Sequence, residues 1–458
     1  MFVGRRDELK ELNDLYDSGK FECVIVHGRL RVGKTTLLRE FTKDKRFIYF
    51  AAQETSSREN LRHLTSCIDV FSPEPAAREQ GKNNYAEMLD RVFWLSCTER
   101  LVFIIDDYEF LTAAHKGISE LIRGHIDQWF VDSKLMLIIC GSSEPVMEKE
   151  TLGFDSPFKE KRTAQIQLRP FTFFETKRYY SGFAPFDIAL IYGMTGGVPG
   201  YLELMDPEAS IEHNILRAFF DPTSLLFEEP INIMRREFRD PGYNSAVLKA
   251  LAAGYTKNAD IAEVVGFEPS ACAVYLKNLI TLGFVCKHTP ATEKAGKLSA
   301  FEIKDNMFRF WYRFVPDNLS LIQGGLADKV WHTLARDISA YMQKIFEDIC
   351  RQWIEQRNGS DRLPVRFTET GRWWSVDASH NTEVSIPIVA FLDESHALFG
   401  DCTWSDAPVG ADVLVSLEER SRAFHHPNKF FYLFSRSGFS DECTEMAHHM
   451  RVDLVLFE

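Results

Sequence analysis

The sequence predicts an α/β fold class, a parallel sheet covered by helices and followed by a helical connection and two further modules. Three observations carry this. Five short apolar runs alternate with helical patterns over residues 1–205. A glycine-rich turn, "GRLRVGKTT" at Gly28–Thr36, stands between the first run and a helix. Beyond residue 243 the rhythm changes to three short helices and a strand. Strands that are apolar throughout, rather than alternating, belong to sheets buried on both faces, and helices between them make the sheet parallel.

The bulk properties agree. A chain of 458 residues is too long for one core and is read as several domains. At 45% apolar residues it packs rather than remaining disordered. The net charge of −13 opposes a surface that binds nucleic acid everywhere. Nine cysteines are scattered singly with no C-x-x-C pair, which gives no zinc site and fits a reducing compartment. Charged "GRRDELKEL" follows close on Met1 in place of a secretory pattern, and runs such as Leu101–Ile105 and Leu135–Cys140 are too short to span a bilayer. The expected location is the cytoplasm, with no membrane partner.

The strands of the first domain, 1–205, are "CVIVH" from Cys23, "RFIYF" from Arg46, "LVFII" from Leu101, "LMLIIC" from Leu135 and "AQIQL" from Ala164. Residues 206–243, with polar helical fragments and Asp-Pro steps, are read as a lid or linker. Residues 244–300 hold "SAVLKALAA", "NADIAEVVG" with Asn258 as N-cap and Gly266 as stop, "PSACAVYLKNLITLG", and the strand "FVCKH". That is the spacing of a winged helix-turn-helix, with "TPATEKAGKLS" as wing tip. The aromatic segment in 301–335, "FEIKDNMFRFWYRFV", reads as core between domains. From 336 to 458 a long helix precedes strands expected at "RWWSV", "EVSIPIVAFLD", "ALFGDCTW", "DVLVSL", "KFFYLFS" and "VDLVLFE".

Gly28, Gly33, Lys34 and Thr35 match G-x-x-x-x-G-K-[ST] after a strand and before a helix, the context in which this loop cradles phosphates. Its backbone N–H groups turn inward, Lys34 reaches the β- and γ-phosphates, and the Thr35 hydroxyl meets Mg²⁺. The contact set is taken as Gly28, Arg31, Val32, Gly33, Lys34, Thr35 and Thr36. In "LVFIIDDYEFL" a strand ends in two acids. Asp106 is placed to hold Mg²⁺, and Asp107 to orient or deprotonate the attacking water, with Glu109 as the next candidate base. "LMLIICGSS" offers Ser142 to the γ-phosphate, and "SPFKEKRTAQI" offers Arg162, with Lys161, as a cation for phosphate charge.

These segments, with "FVGRRDEL", "KRTAQIQLRPF" and "GGVPGYLEL", together resemble the archaeal-type ATPase family within the STAND and AAA-like P-loop proteins. The resemblance implies a P-loop NTPase sheet with helical lid, a winged helix, and a C-terminal α/β domain of restriction-endonuclease-like fold. It implies that Phe2, Val3, Gly4 and Arg5 lie near the adenine and that Pro199 contacts the nucleotide. Relatives often carry Glu where this chain has Asp107, one methylene shorter. A nuclease of that fold would use a helix Glu, a strand Asp and a Glu-x-Lys. These map to Glu347, Ser385 and Asp401-Cys402-Thr403, so one acid and the lysine are missing and the expected remnant is Glu347 with Asp401. The third winged-helix helix offers Lys277, Tyr275 and Asn278, few cations for DNA.

The expected function is therefore a slow ATPase binding ATP and ADP with Mg²⁺. It acts as a nucleotide-dependent switch on the winged-helix and C-terminal modules, with an unidentified protein partner docking on "KFFYLFSRSGF". The alternative is an ATP-gated DNA-binding or DNA-processing protein.

Overall fold

Leu101–Asp106 and Leu135–Gly141 are buried at every residue, as is Glu22–His27. Such strands need cover on both faces, and the alternation of side chains supplies two separate cores. Cys23, Ile25, Phe103, Leu137 and Ile139 enter one, while Val24, Val26, Ile104, Ile138 and Cys140 enter the other. The structure is a computed structural model that describes residues 3–71, 84–180, 182–291, 298–360, 363–377 and 382–458. Phe2 lies outside the described residues.

With β1 Glu22–His27, β2 Phe47–Ala51, β3 Leu101–Asp106, β4 Leu135–Gly141 and β5 Ala164–Gln167, the sheet order is β2-β3-β4-β1-β5, all parallel. The edge strands β2 and β5 are the ones that alternate, exposing Phe47, Gln165 and Gln167. Parallel strands all end on one side, so the residues after β1, β3 and β4 share one rim of the sheet. Strand β4 runs between the strand of the phosphate loop and the strand of the paired acids.

The chain divides into two compact units. The first holds Met1–Pro170 with Val198–Gly200, and the second Phe171–Gly197 with Tyr201–Glu458. The expected domain span, 1–205, also takes in 171–197 and 201–205, which pack here with the second unit. The helix Pro185–Thr195 explains the difference. It is buried from Ile188 through Thr195, an all-round apolar helix that must sit inside a core. Its neighbours are the aromatic helix Asn306–Phe314 and the helix Ala327–Arg357: the Tyr341 hydroxyl donates to Gly193 O and lies 3.2 Å from Asn306 O.

In the second unit, helices Ile211–Phe219 and Leu225–Glu237 carry side-chain N-caps at Ser210 and Ser224. Helices Pro241–Ala252, Asn258–Val265 and Pro269–Thr281 follow, then an antiparallel hairpin of β6 Val285–His288 and β7 Ala300–Ile303. Gly266 is the left-handed C-cap at φ 78°. Asn258, however, is the first helical residue rather than the cap, and its side chain donates to Pro269 O at 3.0 Å. Part of the expected wing tip, 292–297, lies outside the described residues. The C-terminal sheet has the order β12-β11-β10-β9-β8, with β8 Glu369–Asp377, β9 Thr382–Phe391, β10 His396–Thr403, β11 Asn428–Ser435 and β12 Val452–Leu456. It is antiparallel from β8 to β10 and parallel from β10 to β12.

Two expectations fail here. "DVLVSL" is not a strand but lies in the helix Ala411–Ser421. Ala411, Leu414, Leu417 and Ser421 are its buried residues, a helical spacing that outweighs the local valine alternation. The strand of "KFFYLFS", β11, is interior, paired on both sides and buried from Tyr432 to Ser435, so it presents no open edge for a partner. Among the described residues no helix is long and apolar enough to cross a membrane.

Candidate functional site

The chain leaves β1 through Gly28 and enters the helix Lys34–Thr42 through Gly33. A Cβ on Gly28 would stand 2.3 Å from the carbonyl oxygen of Leu168, so a side chain there collides with backbone. Gly33 has room but a φ of +93°, which glycine adopts without strain. Arg31, also at positive φ, accepts the amide of Gly200 on its carbonyl at 3.0 Å. Pro199 lies beside Gly33. Arg5 is buried and donates to the carbonyls of Val32, at 3.1 Å, and Arg169. The Val3-Gly4-Arg5 segment and Pro199 thus both reach the loop region, with Arg5 acting as a clamp on loop backbone.

Lys34 is buried, with Nζ 2.8 Å from Gly28 O, 3.1 Å from Arg29 O and 2.8 Å from Ser142 Oγ. Three acceptors match its three protons. Thr35 Oγ1 donates to Asp106 Oδ2 at 3.1 Å, and Asp106 Oδ1 accepts the Asp107 amide at 2.9 Å. Val32 is buried beneath the loop and Thr36 is exposed on the first helical turn. Lys34, Thr35, Asp106 and Ser142, read from separate stretches of sequence, therefore meet at one point on the sheet rim.

Asp107 has a left-handed backbone, φ 53°, as the N-cap of the helix Tyr108–Ala114. Such strain in a non-glycine residue concentrates at working sites. Burial, then the Asp106 and Glu109 carboxylates, push its carboxyl up to about 6 against the opposing pull of Lys34. Glu109 is occupied differently from the sequence expectation: both its oxygens accept the amide of Ser142, at 3.1 and 3.2 Å. It fixes the end of β4, which in turn presents Ser142 Oγ to Lys34. A residue missed in the sequence is Tyr49 on β2, whose hydroxyl donates to Asp106 Oδ2. A hydroxyl inside an otherwise apolar run was the available signal.

Arg162 is a correction. Its guanidinium donates to the carbonyls of Thr151, at 3.1 Å, and Leu152. The amide of the next residue, Thr163, bonds Cys23 O at the start of β1. Five residues of strand, about 16 Å at ~3.3 Å per residue, separate that level from Gly28. Arg162 thus braces the opposite rim, and Lys161 pairs with Asp127.

The C-terminal carboxylates do not converge either. On β10, Asp401 shares a face with Ala397 and Phe399, which pack with Leu417 of the helix Ala411–Ser421. Cys402 faces the long helix, where its thiol meets that of Cys350; from the same helix Gln343 donates to the Cys402 carbonyl at 2.8 Å and to Glu347 at 3.4 Å. Glu347 and Asp401 consequently lie on opposite faces of the sheet. Arg420 bonds Asp401 Oδ2 and, at 2.6 Å, the carbonyl of Ser385. The positions mapped as two metal ligands are bridged by a guanidinium.

A parallel α/β sheet whose rim gathers a phosphate loop, a strand-end aspartate pair and a neighbouring strand's serine defines the P-loop ATPase class. The comparisons with known proteins agree. Residues 2–205 match an ATPase domain predominantly from Archaea, and residues 311–420 match archaea bacterial proteins of unknown function. An uncharacterized protein of Methanocaldococcus jannaschii is 30% identical over 417 residues, covering 89% of this chain and 88% of that protein. An uncharacterized ATP-binding protein of the same organism is 41% identical over 46 residues, 10% of this chain and 78% of that one. Among solved structures, the Walker-type ATPase of Pyrococcus abyssi superposes with a TM-score of 0.52 at 18% identity, covering 68% of this chain and 96% of that one. The chain belongs to the archaeal-type P-loop ATPase family.

Proposed function

We propose that this protein binds ATP with Mg²⁺ at the ends of β1, β3 and β4, hydrolyses it slowly, and uses the nucleotide as a switch that positions the modules of its second unit. The convergence of Lys34, Thr35, Asp106 and Ser142 carries this reading. The β- and γ-phosphates would take up the Lys34 ammonium and the free amides at the start of the helix Lys34–Thr42. Gly28, Arg31, Val32, Gly33 and Thr36 shape that cradle, with Pro199 beside it. Ser142 faces the terminal phosphate.

The donor set suits Mg²⁺. A hydroxyl and a carboxylate oxygen 3.1 Å apart are hard ligands, and this ion completes its shell with phosphate and water. Among the described residues no group of three or more His, Cys, Asp or Glu side chains is placed to hold a metal unaided, so phosphate would be part of the site. Thr35 and Asp106 would hold the ion, which supplies neutralising charge to the phosphates. Asp107 would take the proton of the attacking water as its oxygen bonds the γ-phosphorus and the bond from that phosphorus to the β–γ bridging oxygen breaks, releasing ADP and phosphate. A carboxyl near 6 has useful basicity at neutral pH. Its short side chain, on a constrained backbone, limits reach to the water and keeps turnover slow.

The switch reading rests on chain continuity. Val198–Gly200 belongs to the first unit, held to Arg31 O, while the residues on both sides of it belong to the second. Charge favours protein over DNA as partner. The helix Pro269–Thr281 exposes Ala271, Ala273, Val274, Asn278 and one cation, Lys277, and around it Asp260, Glu263 and Glu268 are exposed beside Lys257 and Lys287. Three acids against three cations leave no net positive charge for phosphates. In the C-terminal module the Arg420 bridge supports a role other than cutting DNA.

The test is ATP affinity by calorimetry in Lys34→Ala. Loss of a charge-assisted contact predicts binding weaker by about 10–100-fold with the fold retained. Unchanged affinity would refute the site.

A further inference from the structure

We infer that Tyr49 is a positioning residue that locks the Asp106 carboxylate in the orientation its metal-binding role needs. The inference rests on the reading of Asp106 given above. Asp106 is 3% exposed, so its charge depends on protein donors for solvation and for direction. Oδ1 takes the Asp107 amide. Oδ2 takes two hydroxyls, Thr35 from the phosphate-loop helix and Tyr49 from β2.

The two hydroxyls are not equivalent. Thr35 is itself a ligand candidate, so its oxygen is shared between the carboxylate and the ion. Tyr49 approaches the same oxygen from β2. It lies on the edge strand, opposite Ile104 in register, two residues before the level of Asp106. Its ring packs on the core face built by Val24, Val26 and Ile104. A ring fixed by packing delivers its hydroxyl to one point, and a carboxylate held by three donors no longer rotates about its terminal bond.

Tyr49→Phe removes the hydroxyl and keeps the ring. Tyr49→Leu removes both, and Asp106→Asn tests the underlying site. The readout is equilibrium ATP affinity with Mg²⁺ and again in EDTA, with folding checked by thermal melting. In Tyr49→Phe the EDTA affinity should be unchanged, while the gain conferred by Mg²⁺ should shrink by about 3–10-fold, less than the full worth of a hydrogen bond to a charged group because the carboxylate keeps its other donors. The Mg²⁺ concentration that half-saturates turnover should rise in parallel. Tyr49→Leu should lose a similar share, and Asp106→Asn nearly all of it. A full Mg²⁺ gain in Tyr49→Phe beside a lost one in Asp106→Asn overturns the tyrosine assignment and leaves the site standing. A defect in Tyr49→Leu alone also overturns it, because ring packing then suffices. A full gain in Asp106→Asn shows instead that the metal-site reading has failed.

Discussion

In the first unit Asp106 ends β3 and meets the hydroxyls of Thr35 and Tyr49; in the second, Asp401 lies near the end of β10 and meets the guanidinium of Arg420. Both acids sit on α/β sheets at strand ends. Neutral donors solvate the first while leaving its charge uncancelled, which favours an incoming cation. The second is already neutralised, by a cation that also bonds Ser385 O. The partners of a strand-end acid, more than its presence, separate a site from a structural ion pair.

The largest expected effect breaks the comparison on the open side. Asp107→Asn should keep ATP affinity and lower single-turnover hydrolysis by about 10²–10⁴-fold, the range for loss of a general base. Parent turnover should also fall as pH drops through about 6, where the raised carboxyl takes up a proton, and that limb should vanish in the variant. Parent-like hydrolysis in Asp107→Asn would place the base elsewhere.

On the closed side the expected consequence is stability. Asp401→Ala leaves Arg420 without its carboxylate and should cost about 3 kcal/mol in denaturant unfolding. Glu347 behaves oppositely. Burial, partly offset by Arg372 and Arg351, raises its carboxyl, so the folded state resists its ionisation. Glu347→Gln should therefore be neutral or stabilising at pH 7, within about 1 kcal/mol. Neither variant should change plasmid or single-stranded DNA incubated with Mg²⁺ or Mn²⁺, with or without ATP. Parent cleavage that both substitutions together abolish would reopen the nuclease reading.

A smaller effect sharpens the contrast between compensated and open acids. Burial pushes Glu302 up, but Lys344, 2.5 Å away, and Arg309 outweigh it and hold the carboxyl at about 2. A depressed carboxyl stabilises the fold above its unfolded value near 4.5, and that stabilisation is lost as pH falls toward 2. Between pH 5 and pH 2 the parent should lose up to about 3 kcal/mol from this group. Glu302→Gln should start lower and show a flatter acid limb in chemical unfolding.

The phosphate loop was legible because its geometry is local: two glycines at fixed spacing, a lysine and a threonine, between a strand and a helix. The aspartate pair was legible because a buried strand that ends in acids at its rim is a short-range pattern. Strand pairing is not short-range. Tyr49 reaches Asp106 only because β2 lies next to β3, and Arg162 misses the phosphates because β5 runs parallel to β1 with Thr163 level with Cys23. Both facts depend on register between segments far apart in sequence.

The sequence by itself determined the class of fold, the phosphate cradle and the acids that face it, since apolar runs, glycine placement and residue type act over a few residues. Tertiary structure decided which face each acid occupies. Strand alternation puts Asp401 and Cys402 on opposite sides of β10, but the helices covering those sides are set by packing of the whole domain. It also decided that Arg420, 19 residues beyond Asp401, would close that carboxylate. A charge's partners are fixed by what folds against it, and no local pattern encodes them.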